Sequence, residues 1–188
     1  MITVFELAKE ILTRIDQSVS GKKIQKLAYY CQAWHVTAFN EPLIDDSFQA
    51  WEHGPVVRQL WGRHRYAMAV RARDIDTPLP DLPTHSAELI AAVVEFYRSY
   101  SGDELENMTH EELPWKSAWL QGRNTNIELT AMRRYYSGVL ASHGHHPALP
   151  ASSFEYVRMD DFEEMVAALS DDAPSDRLAS TLRRAKFS

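Results

Sequence analysis

The chain has 188 residues, 45% of them hydrophobic, and a formal net charge of −6. That length buries one sizeable core, so one domain with an appendage is expected. The negative balance argues against a general affinity for nucleic acid, though not against a local basic patch. A single cysteine, Cys31, excludes an intrachain disulfide framework and fits a reducing compartment. The apolar runs are too short to span a bilayer, and Met1-Ile-Thr-Val-Phe-Glu6 lacks the basic start of a secretion signal. A cytoplasmic chain with no membrane partner is expected.

Thr3 and Glu6 form a T-x-x-E capping box, and Val4, Ala8, Ile11, Leu12 and Ile15 recur at helical spacing. Ser18 to Gly21 breaks this first helix. A second runs from about Lys22 to Phe39, with Ile24, Leu27, Ala28, Cys31, Trp34, His35 and Ala38 on one apolar stripe, and stops at Asn40-Glu-Pro42. Alternation over Ser47 to Glu52 predicts a short strand, with Phe48, Ala50 and Glu52 facing opposite to Gln49 and Trp51. His53-Gly-Pro55 reads as a turn, Pro55 as the first residue of a helix reaching about Arg65, and Met68 to Arg73 as a second strand pairing with the first. After a Pro-marked connection, Thr84 or Ser86 caps an amphipathic helix that ends at Ser101-Gly102. Asp103 with Glu106 then starts a short helix, Pro114-Trp115 opens another, and 127–141 is the last helix of the core.

Ser142 to Pro150 has no periodicity and reads as a linker. A strand over 154–157 and helices over 160–169 and 175–186 are expected beyond it. The segment 143–188 holds eight acids against five Lys/Arg and too few apolar residues to fold alone, so it docks elsewhere or stays mobile. The division is therefore 1–142 and 143–188, and the fold class mainly α with a small β-hairpin.

Catalytic and metal chemistry find little support. Cys31 lies mid-helix on the apolar stripe, where a packed thiol is favoured over a reactive thiolate. Thr109-His-Glu-Glu112 lacks the second histidine of a zinc helix, so His110 is expected to order the Pro114-Trp115 turn. His143, His145 and His146 lie in a Gly/Pro linker without a ligand framework. Only seven glycines are present, and none forms a phosphate cradle. No metal and no cofactor is expected. Lys22, Lys23 and Lys26 crowd a helix N-terminus, against the macrodipole, as a solvated face or as a site for an acidic partner. Between His53 and Arg73 there is no acid, while Arg58, Arg63, Arg65, Arg71 and Arg73 accumulate. This run either pairs with the acidic tail or with Asp45 and Asp46, or offers a surface to an acidic protein or RNA. Trp34, His35, Trp51 and His53 admit two readings as well: core aromatics, or the lining of a groove whose polar edges are free for a partner.

Lys23-Ile-Gln-Lys-Leu-Ala-Tyr-Tyr30, Ala33-Trp-His35, Glu41-Pro-Leu43 and Ala50-Trp-Glu-His-Gly-Pro-Val-Val57 occur in order, followed by Thr109-His110, Pro114-Trp115, and Ile127 with Met132, Tyr135 and Tyr136. In these motifs, over about residues 1 to 142, the chain resembles the Panacea domain, the antitoxin family also called SocA-like or GepA-like in phage and bacterial genomes. The resemblance implies a mainly helical, non-enzymatic domain that neutralises a toxin encoded beside it. The expected partner is that toxin, bound through Trp34, His35, Trp51, His53, Arg58, Arg63 and Arg65 together with Phe154, Tyr156 and Phe162 of the arm. One family member resembles a protease adaptor, so the alternatives are delivery of the toxin to an ATP-dependent protease, or an RNA- or DNA-binding regulator using the arginine run.

Overall fold

The chain is built around one helix that is buried on every side. In the computed structural model, which describes residues 1–142 and 145–151, this is α2 (Gly21–Phe39), following α1 (Val4–Ile15). Every α2 residue from Ile24 to Phe39 is buried, as expected of a helix enclosed by neighbours rather than laid on a surface. Around it pack α1, α4 (Thr84–Tyr97), α5 (Gly102–Glu111) and α7 (Leu129–Ala141). The fold is mainly α, with seven α-helices among the described residues and one small antiparallel hairpin.

The ends of the helices are set by local chemistry. The α1 capping box forms as read: Glu6 N donates to Thr3 Oγ1 at 3.2 Å and Thr3 N to Glu6 Oε2 at 2.8 Å. Ser20 caps α2, and Asn40 ends it in the left-handed region. Two caps differ from expectation. α4 starts after Pro83 with no side-chain cap, because Ser86 lies inside the helix with its hydroxyl 3.0 Å from His35 Nε2. α5 is capped by Ser101 with Glu104, not by Asp103 with Glu106. That choice leaves Glu106 one turn further along, facing the hairpin.

The hairpin also departs from the reading. β1 (Gln49–Trp51) pairs with β2 (Gly54–Val56), in the register Gln49↔Val56, Ala50↔Pro55 and Trp51↔Gly54. Residues 54–56 are thus a strand rather than a turn and helix start, and α3 spans only Arg58–His64. Pro55 is tolerated because β2 is an edge strand. The other edge of β1 is taken by residues 124–127, where Ala50 N donates to Thr125 O at 2.8 Å and Ile127 N to Phe48 O at 2.7 Å. Ile127 accordingly lies before α7 instead of opening it. Residues 68–73 do not pair with β1: Val70 exchanges backbone hydrogen bonds with Val19, and Ala72–Asp74 is a 3-10 turn.

α6 (Leu113–Gln121) carries Pro114 in its first turn, as expected. The described part of the linker is laid on the core: His145 packs on Phe96, with ring centroids 4.5 Å apart, and Leu149 packs against the hydrophobic cluster. The strand and two helices expected after residue 152 lie outside the described residues.

Candidate functional site

Three polar side chains of the buried α2 hold the chain segments that follow it. Gln32 Oε1 accepts from the backbone N–H of Leu43 and Ile44 at 2.8 and 3.1 Å, fixing the segment after α2. Gln25 does the same for the end of the hairpin: Val57 N donates to Oε1 at 2.9 Å and Nε2 donates to Val57 O at 3.2 Å. Both ends of each amide are used, so these groups are buried without loss.

Lys26 is the unusual member. It is 1% exposed, and its ammonium donates to Pro55 O at 3.1 Å. Gly54, at φ +88°, makes room for it: a Cβ there would lie 2.7 Å from Lys26 Cε and 2.9 Å from Thr109 Oγ1. The Lys-Ile-Gln-Lys and His-Gly-Pro-Val motifs are therefore two halves of one contact, with the glycine needed for both its backbone and its missing side chain. Burial pulls Lys26 down to about 7, against the attraction of Glu106.

A second buried set lies deeper. Glu112 receives the hydroxyls of Tyr30 at 3.1 Å and Tyr136 at 2.6 Å, while Trp34 Nε1 donates to Tyr97 OH at 3.3 Å. Tyr30 stacks on Tyr97 with centroids 4.0 Å apart. Burial raises Glu112 to about 7, opposed by the two phenol hydrogen bonds. These groups tie α2, α4, α7 and the α5–α6 corner together, and they are structural. Cys31 belongs with them: it is fully buried and its thiol is pushed well above its usual range by desolvation. His110 stacks near Trp115 at 4.1 Å, in the place expected for ordering that corner.

The surface above Lys26 is different. A cleft of about 510 Å³ opens between the first turn of α2, the hairpin and α3. Trp51 and Trp61 stand at its side with rings 5.2 Å apart, and Val56 and Leu60 line it. Lys22 forms ion pairs with Asp103 and Glu106 at 2.7 and 2.5 Å, and His53 Nδ1 lies 3.0 Å from Glu106 Oε1. The crowding of lysines at the α2 N-terminus is thus partly answered by α5. Beyond the cleft, Arg65 lies over the rings of Trp61 and Tyr66 at 5.2 and 4.5 Å. Tyr66 and Met68 are almost fully exposed.

The structure divides the sequence candidates. Trp51, His53 and Arg65 meet at the cleft, and Arg58 and Arg63 lie exposed on α3 beside it. Arg58, Arg63 and Arg65 form no ion pair among the described residues. Trp34 and His35 are elsewhere, 1% and 5% exposed. His35 spends both ring nitrogens on Glu41 O and Ser86 Oγ, at 2.8 and 3.0 Å. They support the core and do not form a surface. Phe154, Tyr156 and Phe162 lie outside the described residues. Sequence reasoning missed Trp61, His64 and Lys26 as cleft residues; for Lys26 the signal was a lysine set between the apolar positions Ile24 and Leu27 of α2.

Among the described residues no cluster of His, Cys, Asp and Glu is suited to a metal, and no helix is long and apolar enough to cross a membrane. The fold and cleft define a mainly helical domain that displays an aromatic, cationic surface on a closely packed scaffold. Residues 24–116 match the model of the antitoxin SocA-like, Panacea-domain family. That span runs from α2 through the hairpin to the first turn of α6, and so contains both halves of the Lys26–Gly54 contact. No curated protein and no solved structure matches the chain.

Proposed function

We propose that the chain is an antitoxin that neutralises a cognate toxin in the cytoplasm by direct protein–protein binding, without catalysing a reaction. The match of residues 24–116 to an antitoxin-family model supports the class. The observation that carries the mode of action is the surface of the hairpin and α3: Trp51, His53, Arg58, Trp61, Arg63 and Arg65 stand together on a rigid base. Large amphipathic rings and arginines, held still before contact, are the side chains that dominate protein interfaces. Residues 1–142 are the helical domain in this reading. The arm of 143–188 adds Phe154, Tyr156 and Phe162 as further contacts, bearing the ordering entropy of docking.

Co-expression with the toxic protein encoded beside this chain tests the reading: growth is expected to be rescued and the two proteins to co-purify. Charge reversal at Arg58 and Arg63 is expected to slow association about tenfold at low salt and much less at high salt, as rim charges do. A chain ending after Ala151 should melt like the parent yet lose toxin affinity; if it protects as well as the full chain, the arm is dispensable. Cys31→Ser and His110→Ala should protect wherever they fold. Loss of protection with toxin binding intact would reopen an enzymatic mechanism.

A further inference from the structure

The cleft beside the hairpin has unanswered donors. Glu52 is the one carboxylate among its lining residues, against Lys22, Lys26, His53, His64 and Arg65. Lys22 and His53 are turned to Glu106, outside the lining. The other three form no ion pair among the described residues, although Glu106 attracts Lys26 from a distance. The Lys26 ammonium carries three donors and meets one acceptor, Pro55 O, and forms no ion pair among the described residues. The His64 Nε2 is buried with no hydrogen-bond partner. The Arg65 guanidinium rests on the Trp61 and Tyr66 rings. Beside these groups the Trp51–Trp61 pair and Leu60 make an apolar wall, with Trp61 itself 38% exposed.

We infer that this cleft takes an Asp or Glu side chain of a partner protein segment, with a neighbouring aromatic or aliphatic side chain of the same segment seated against Trp51 and Trp61. The inference rests on the reading of this surface as the toxin-binding face and names the chemistry it selects. A carboxylate entering the cleft meets the exposed Arg65 guanidinium directly, and the lysines and histidines of the lining draw it in by charge. The partner is protein rather than nucleic acid. A phosphate backbone is tracked by many cations spaced along a groove, whereas here the basic side chains line a single cleft with an apolar wall, in a chain of net charge −6.

A random dodecapeptide library displayed on phage, selected on the full-length chain and counter-selected on folded Arg65→Glu and Trp61→Ala variants, tests this. The expected motif is an acidic residue within two positions of a Trp, Phe or Leu. The selected peptide, titrated by tryptophan fluorescence, should bind at least about tenfold more tightly than its Asn/Gln counterpart, a gap of about 1.4 kcal/mol. The same loss is expected for Arg65→Glu. Both variants change exposed side chains and should melt near the parent. Motifs without acids, retention by both variants, or displacement of the peptide by a single-stranded uridine dodecamer at equal concentration would each overturn the inference. Toxin rescue is read separately: a chain that protects but selects no acidic–apolar motif refutes this inference alone, and one that selects the motif but protects against nothing refutes the proposed function.

Discussion

Replacing Trp34 with alanine is expected to cost on the order of 3–5 kcal/mol, the range for emptying a fully packed aromatic site. The indole is 1% exposed, sits 4.9 Å from the Tyr136 ring and donates to Tyr97 OH. Its removal leaves a cavity where α2, α4 and α7 meet, and it orphans a phenol hydroxyl in a dry interior. For a domain of this size, such a loss lowers the melting temperature by roughly 10 °C or more. Trp34→Phe refills much of the volume and should recover more than half of the loss. A melting curve for Trp34→Ala that overlies the parent's would count decisively against the packing described here. The same substitution at Trp61, at the cleft, should move the melting temperature far less and toxin affinity far more. That contrast separates a tryptophan that holds the scaffold from one that faces a partner.

The two residues were not distinguishable in the sequence. An aromatic at helical spacing reports an amphipathic face, not which neighbour covers it. Helix boundaries set by local chemistry were legible, as at Thr3–Glu6 and at Asn40, because cap and pattern lie within one turn of each other. The hairpin was not. Its turn, Glu52-His53, lacks the Asn-Gly or Asp-Gly that marks tight hairpins, and Pro55 suits an edge strand as well as a helix start. The deciding contacts come from Gln25 and Lys26, about thirty residues upstream. At α5 two overlapping patterns, Ser101–Glu104 and Asp103–Glu106, both satisfy the capping spacing. Choosing the first frees Glu106 for Lys22 and His53, a tertiary gain invisible to local reading. Burial of Lys26 ran against the prior that lysine marks a solvated face. The candidate surface was half legible: the acid-free arginine run was plain, but the cleft it borders exists only once the hairpin has folded back on α2.

Stability is expected to depend on pH through the two buried charges, and in opposite directions. Lys26 is pulled down to about 7 by burial and Glu112 is pushed up to about 7 by burial. For Glu112 the folded state keeps its proton where the unfolded chain has lost it, so stability falls as pH rises from about 4.5 to about 7 and is level above. For Lys26 the unfolded chain binds the proton that the folded state rejects, so stability rises with pH from about 7 to about 10.5. The two contributions together place a minimum near neutrality, on the order of 3 kcal/mol deep on the acid side and 5 kcal/mol on the alkaline side at about 1.4 kcal/mol per pKa unit. Other groups cut across this profile: burial lowers His35, His64 and His110, so that each withdraws stability as pH falls below 6.5. Differences between variants isolate the pair. Glu112→Gln keeps a hydrogen-bonding end for the Tyr30 and Tyr136 hydroxyls, and should match the parent near pH 4.5 but exceed it by about 2–3 kcal/mol at pH 8. Lys26→Met gives up the hydrogen bond to Pro55 O, and its advantage over the parent should be greatest below pH 7 and vanish by pH 10.5. Urea denaturation at five pH values between 4.5 and 10.5 measures both. A stability difference from the parent that stays constant across that range, for either variant, would mean that the group titrates alike in the folded and unfolded chain. Its burial would then carry no electrostatic cost.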